Sequence, residues 1–332
     1  MPLSSAVHAD RPLTDLSVAS IQSDEAFIAT KVFPAVPVAK ESDTYYVYGT
    51  EFFMRDDAKL RGENTQSAGG DYGITEDNYV AKEWSFHKDI SKRERRNSDK
   101  ALRPLEDATR YVSKILGTRR ERLWAATFFA AGIWTSNYTG VAGAPGATQF
   151  RQWNDQTNAT PVTDVEDWKQ VILLLTGYEP DTLVVTPDVW KKLKEHPQII
   201  GRLQYNNPGF AASGGKVTMG MVAAMMDLRQ LFVAKAVYNT SQIDGTPSNA
   251  FVCGTKGALL CYSAPNPGKM EPSAGYHFTW SDEDEVVSSE ATRIITEPVP
   301  NTNTWMRVDG SIFMAPKVVS ADLGLFAASV IA

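Results

Sequence analysis

Residues 102–131 read LRPLEDATRYVSKILGTRRERLWAATFFAA, and the spacing of apolar side chains in this run decides the fold. Leu105, Ala108, Val112, Ile115, Leu116, Leu123, Ala126 and Ala130 recur at steps of three and four, which places them on one face of a helix. Pro104 suits the first turn, where its missing N–H costs nothing. Glu106 and Asp107 follow and complement the positive helix end, while Arg119, Arg120 and Arg122 come later. From Pro104 to Ala130 such a helix is roughly 40 Å long at ~1.5 Å per residue. That length marks a strut from which other elements hang.

On its N-terminal side, residues 92–100 (KRERRNSDK) lead into the helix. Glu94 and Asp99 interrupt the positive charge and no aromatic residues alternate with the bases. The run therefore reads as a solvated or intersubunit charge cluster, not a nucleic-acid patch. Further upstream, residues 44–48 (TYYVY) and 79–89 (YVAKEWSFHKD) read as strands. The second places Val80, Trp84 and Phe86 on one face and Glu83, Ser85, His87 and Asp89 on the other. Between them lies a polar excursion longer than the ~12–15 residues that compact domains usually tolerate. It carries Arg55, Asp56, Asp57, Lys59, Arg61 and Glu63, with Gly62, Gly69 and Gly70 around its tip. This is either a plain surface loop or a projecting hairpin that docks on another molecule. Residues 1–40, broken by Pro12, Pro34 and Pro37, read as an extended arm that must lie on something else.

On the C-terminal side, a Gly/Ala/Thr/Asn-rich connection marks a boundary. Thr163, Asp164, Val165 and Glu166 predict a capping box opening a helix with Val165, Trp168, Ile172 and Leu175 inward. A strand over 182–185, a helix opened by Thr186 and Pro187, a Met-rich helix over 217–228 and strands over 230–238 and 250–262 follow. This interleaving predicts a mixed α/β unit. From residue 276 the pattern changes to YHFTWS, ATRIITEPV and NTWMRVDGSIFMAPKVVS, long strands joined by an acidic DEDE turn and a Pro/Asn-rich turn. That is a separate antiparallel region, so the fold class is α+β.

Composition narrows the function. A chain of 332 residues that is 22% charged and 43% hydrophobic folds into about two domains. No window approaches ~18 apolar residues, and MPLSSAVHADRPL lacks the pattern of an export signal. Cys253 and Cys261 flank a turn at Gly254 to Gly257 and are expected as reduced thiols. A net charge of −6 argues against a dedicated DNA binder, but suits a surface that sits beside DNA without sticking. The stretch between Gly209 and Lys216 is one residue too long for a phosphate loop, and Val217 stands where Ser or Thr must bind magnesium. His8, His87, His196 and His277 are scattered, with no ligand spacing. No G-x-S-x-G elbow occurs. Asp282, Glu283, Asp284 and Glu285 lack the alternating ligands of a calcium loop. Met219, Met221, Met225 and Met226 read as packing. No catalytic residue, cofactor site or metal site is assigned.

The order is arm, long hairpin, long helix, mixed domain, long antiparallel strands. In that order, the chain resembles the major capsid proteins of tailed bacteriophages, which share the Hong Kong 97-type coat fold. The marks are KVFPAVPVAKESDTYYVYGTEFF, TRRERLWA, LVVTPDVWKKLKEHPQI and APNPGKMEPSAGYHFTW, and they span essentially the whole chain. The resemblance implies an N-terminal arm over 1–42 and an extended loop over 43–89 that overlaps a neighbouring subunit. It further implies a peripheral domain with a spine helix over 90–134 and 276–316, and an axial domain over 135–275 and 317–332. By it, Arg55, Asp56, Asp57, Lys59, Arg61 and Glu63 are subunit-interface residues of the loop. Glu297, Asn301, Asn303 and Trp305 belong to a turn at three-fold contacts. The implied partners are further copies of the chain in hexamers and pentamers, a separate scaffolding protein, a portal protein, and packaged DNA touched weakly and non-specifically. A separate scaffold is expected because the chain begins too close to its arm to carry a cleaved scaffold segment. The implied place is the virion capsid, assembled in the host cytoplasm. The shell of a cellular nanocompartment with the same fold, a virion decoration protein and an enzyme with an unrecognised site stay open at this point.

The charge balance yields a first prediction. The free subunit should bind duplex DNA no tighter than about 1 µM at physiological salt; a tighter dissociation constant in a filter-binding titration contradicts this reading.

Overall fold

In a computed structural model, residues 22–98, 103–206, 215–242, 245–268, 271–280, 292–299 and 305–332 are described. The helix read over 102–131 runs as Pro104–Phe128, with Pro104 in its first turn and Glu106 and Asp107 beside it. Its buried residues include Ala108, Val112, Leu116, Arg120, Trp124 and Phe128. Steps of four advance the buried line by about 40° each on a helix of 3.6 residues per turn. The stripe therefore winds around the helix, because its two ends face different partners. That winding corrects the expected face: Ile115 and Ala126 are exposed, whereas Arg120 and Glu121 are buried.

The N-terminal half of the helix packs on a five-stranded sheet. Its strands are β1 (Ala35–Pro37), then, beyond the hairpin strands β2 (Ser42–Tyr48) and β3 (Ile74–Val80), β4 (Lys82–Ser91). The strand expected over 79–89 is thus two strands. Ala81, wholly buried, separates them, and the hairpin partner of β2 ends at Val80. β4 instead joins the sheet. Ile90 from β4 meets Ala108, Val112 and Leu116 of the helix in one core.

A second sheet has six strands. It takes β5 (Ser136–Val141), β6 (Gln149–Arg151), β7 (Thr182–Val185) and β8 (Gln230–Val233) from the middle of the chain. A small separate pair, β9 (Val237–Asn239) with β10 (Asn249–Phe251), stands beside it. The strands expected over 230–238 and 250–262 are therefore each interrupted, the second by a turn. β11 (Ala258–Cys261) returns to the six-stranded sheet. β12 (Gly275–Thr279), β13 (Thr292–Pro298) and the fourteen-residue β14 (Trp305–Val318) complete the first sheet, and β15 (Gly324–Ala328) crosses back into the second. The six strands lie in the order β6-β5-β15-β11-β7-β8, so the last strand of the chain sits inside the sheet. One sheet face is covered by helices Pro161–Thr176, Pro187–Lys194, Pro197–Asn206 and Met219–Met225. The first of these starts at Pro161, not at a capping box: Thr163 lies inside it, and Asp164 accepts the Trp153 indole N–H at 2.8 Å. That bond fixes a stack of Trp153 on Trp168 with ring centroids 5.7 Å apart.

The two sheets meet at the C-terminal end of the long helix. Trp124, Phe128 and Phe129 pack with Val184, Leu259 and Phe326 of the second sheet, and with Ile28, Val32 and Phe33 from the N-terminal part of the chain. The Trp134 indole donates to the Phe128 carbonyl at 2.8 Å and covers Gly324. A Cβ at Gly324 would lie 2.2 Å from Trp134 Cε3, closer than any packed pair allows. Gly324→Ala should destabilise the subunit by about 1–3 kcal/mol through overpacking, read as a lower midpoint in urea unfolding followed by tryptophan fluorescence.

Candidate functional site

β2 and β3 pair antiparallel from Ser42↔Val80 to Tyr48↔Ile74. Beyond them come a short helix, Thr50–Phe53, and irregular chain as far as Gly73. Side chains from Phe53 to Glu76 are all exposed. The six charged residues read from the sequence, Arg55, Asp56, Asp57, Lys59, Arg61 and Glu63, all fall on this exposed stretch. Arg55 Nε lies 4.0 Å from Asp57 Oδ2, and Arg61 Nε donates to the Thr65 carbonyl at 2.6 Å. The tip closes on itself, with Thr65 Oγ1 donating to the Gly62 carbonyl at 2.8 Å and Asn64 in the left-handed region at φ 64°. Sequence reasoning missed a ring cluster below the tip: Tyr48, Phe53 and Tyr72 have centroids between 5.8 and 6.2 Å apart. Its signal was present as aromatic residues flanking the polar tract on both sides. Met54 beside them rests its methyl against Gly177.

The root of the hairpin is held where the tip is not. Tyr45 donates to Asp77 Oδ2 at 2.8 Å, and Lys317 Nζ donates to Asp77 Oδ1 at 3.0 Å. Burial pushes the Asp77 carboxyl up, but the bonds from Lys317, Tyr45 and Asn78 outweigh it and hold the group below its usual range. Burial, with Asp77 next to it, pushes the Tyr45 phenol up. Tyr79 stacks on Phe278 at 4.6 Å, with Tyr45 at 5.5 Å from the same ring.

Of the turn residues, Asn301 and Asn303 lie outside the described residues. Glu297 is exposed near the end of β13, opposite Arg307. Arg307 makes a two-pronged pair with Asp89 of β4 at 2.7 and 2.9 Å. Trp305 opens β14 opposite Ser91 and is 44% exposed. Among the described residues, no ion pair or hydrogen bond joins the hairpin's charged residues to Glu297 or Trp305.

The chemistry-bearing side chains serve the fold. Burial pushes the thiols of Cys253 and Cys261 up, away from the reactive thiolate. His196 Nδ1 accepts the Gln198 N–H at 3.2 Å, capping a helix, while His277 is buried. His87 is exposed, and His8 lies outside the described residues. Among the described residues, no three of His, Cys, Asp and Glu gather into a metal-binding group, and no helix is long and apolar enough to cross a membrane.

The hairpin is thus rooted on a body of two sheets joined by one long helix. The family model described as "Phage capsid protein" matches residues 75–276 of the 332. The chain belongs to the phage capsid protein family. It is 25% identical over 232 residues to the major capsid protein of Burkholderia phage BcepMu, covering 69% of each chain. Among solved structures, a phage-related protein of Bordetella bronchiseptica RB50 superposes with a TM-score of 0.66 at 20% identity, over 93% of this chain and 94% of that one. The capsid of cyanophage P-SCSP1u gives 0.61 at 11% identity, over 94% and 90%. The α+β architecture is that of the Hong Kong 97-type coat fold, and the protein is a phage major capsid protein.

In this capsid protein one residue, Ala29, is clasped through both its backbone N–H and its carbonyl. Glu121, on the long helix and only 1% exposed, accepts the Ala29 N–H at 2.7 Å, and His277 Nε2 meets the Ala29 carbonyl at 3.1 Å. Ser263 donates to the Val32 carbonyl at 2.6 Å. Burial raises the Glu121 carboxyl from 4.5 to about 7, against the Ala29 and Ile28 N–H groups and the charges of Arg120 and Lys31. Folding thus takes up a proton on Glu121 between pH 4.5 and 7, so stability falls as pH rises through that window and stays low above it. His277 works the other way. Burial pushes its imidazole down to about 4, and the fold loses stability as pH falls from 6.5 toward 4. Glu121→Gln keeps the acceptor for Ala29 and removes only the Glu121 dependence. The variant and the intact subunit should be about equally stable at pH 5, with the variant ahead by up to about 3 kcal/mol at pH 8. Urea unfolding at both values checks this; a difference that does not change with pH means Glu121 is ionised throughout.

Proposed function

We propose that this capsid protein builds the closed shell of a tailed-phage virion from hexamers and pentamers of itself, with the hairpin of β2 and β3, shorter than the expected 43–89 because β4 joins the sheet, crossing onto the neighbouring copy. The observation that carries the reading is the contrast along the hairpin. Its root is tied by Asp77, Lys317 and the Tyr79–Phe278 stack, whereas every side chain from Phe53 to Glu76 is exposed. A segment so firmly rooted holds a fixed direction, and its mixed charges give register while staying reversible, since exposed pairs are each worth ~0–1 kcal/mol. In this reading, 1–42 is the arm. Residues 90–134 and 276–316 form the peripheral domain, and 135–275 with 317–332 the axial domain. The turn carrying Glu297, Asn301, Asn303 and Trp305 meets neighbours at three-fold positions. Assembly takes place in the host cytoplasm with a separate scaffolding protein and a portal, and the DNA inside is contacted weakly. No catalytic step is assigned to the chain.

Removing residues 56–71 and joining the ends through Asn-Gly tests the reading. The segment adds nothing to the subunit core, so the deletion should cost ~1 kcal/mol or less of folding stability. A loss of even ~1 kcal/mol per subunit contact is about five-fold in each association constant, compounded over the shell. The expected result is a near-normal melting temperature with capsomers or monomers, but no closed particles, in sedimentation velocity with scaffold present. Normal particles from the deleted protein would reduce the hairpin to a surface loop.

A further inference from the structure

The helix Lys92–Asn97 separates the two signs of charge that alternate in its sequence. Ser91 caps it, accepting the Glu94 N–H at 3.0 Å. Lys92, Arg93 and Arg96 line one groove of about 580 Å³, with Trp305 as its aromatic wall. Glu94 lines a different groove, beside Lys88 and Asp107. Among the described residues, no carboxylate pairs with Lys92, Arg93 or Arg96. A cationic groove with an exposed tryptophan wall suits an acidic peptide.

The chain contains one such peptide. Residues 281–290 read SDEDEVVSSE, five carboxylates without a base. Both ends of this segment are tied at the same level of β14: the Trp280 N–H donates to the Phe313 carbonyl, and Thr292 pairs with Ile312. Trp305 lies seven residues further along β14, roughly 23 Å away at ~3.3 Å per residue. The groove is also on the opposite edge, because β4 and β13 flank β14 on either side. Glu285, five residues from Trp280, extends at most about 17 Å along a taut chain. To meet the groove of their own chain the acids would need a taut backbone crossing the sheet with both side chains stretched, whereas a neighbour's groove asks for no such extension. We propose that the segment 281–290 of one copy docks in the groove formed by Lys92, Arg93, Arg96 and Trp305 of the next. A contact between two different patches of the same chain runs head to tail, the kind that closes into rings. The inference rests on the shell reading above and supplies a second, electrostatic contact to it.

The experiment uses the intact chain and a labelled synthetic SDEDEVVSSE peptide, followed by fluorescence anisotropy. Saturable binding is expected at low salt. It should weaken about ten-fold in the double variant Arg93→Glu, Arg96→Glu, and vanish when the four contiguous acids of the peptide are replaced by their amides. In particle assembly, the groove variant and the reverse variant Asp282→Lys, Glu283→Lys should each lower the yield, and combining all four changes should restore it. All four positions are charged in the native chain, and circular dichroism melts confirm that each variant folds. The proposal is overturned if the peptide does not bind, if the groove variant binds it unchanged, or if the combined variant assembles no better than either parent. Binding of a duplex oligonucleotide in place of the peptide would make the groove a phosphate site and equally overturn it. The peptide assay needs no particles, so an intact chain that binds the peptide yet forms none defeats the shell reading and leaves the groove assignment standing.

Discussion

One helix has to bury itself against two sheets that face different ways, and the rest of the structure follows from that constraint. Its buried line steps by four from Ala108 to Phe128 and turns as it goes. The N-terminal half meets β4 and β14, and the C-terminal half meets the outer face of the six-stranded sheet. Phe128 stands at the crossing, with Phe33 at 4.5 Å, His277 at 5.8 Å and Trp134 at 6.4 Å between ring centroids. Two glycines, Gly275 and Gly324, leave room for Phe128 and Trp134 to sit there. With this joint filled by large rings, the two halves of the subunit are held as one packed body.

Around that joint, several buried polar side chains hold the backbone of residues 29–32. Residues 29–32 form a short helix, and orphan groups at its ends, the Ala29 N–H and the Val32 carbonyl, need partners in an apolar setting. Glu121 takes the N–H of Ala29, His277 its carbonyl, and Ser263 the carbonyl of Val32. Three elements distant in sequence thereby hold one turn of the arm. The same economy appears at Lys169, buried but donating to the carbonyls of Met226 and Asp227 at 3.2 Å and reaching Glu179 at 2.8 Å.

The exposed hairpin follows the opposite rule. The hairpin tip is polar and self-contained, so its stability comes from the root, where Asp77 and Phe278 tie it to the sheet. β12 and β13 lie along the same edge of β14, while the basic helix follows β4 on the other.

The sequence by itself determined the elements whose signal is local. The long helix was legible in its apolar period and its Pro104 start, the polar excursion in its length, and the absence of a known catalytic motif in residue spacing. The charged residues of the hairpin were legible too, as an unburied tract between strands. Tertiary structure decided what depends on partners far along the chain. It moved residues 82–91 from the hairpin to the sheet, because the pairing of β4 with β14 spans more than two hundred residues that no local period can report. It turned Glu121 inward and Ile115 outward, because the helix serves two surfaces where a periodicity argument assumes one. It also separated Glu94 from Lys92, Arg93 and Arg96, because a helix places neighbours in sequence about 100° apart. A run that reads as mixed charge in one dimension is, in three, a basic groove with a tryptophan wall.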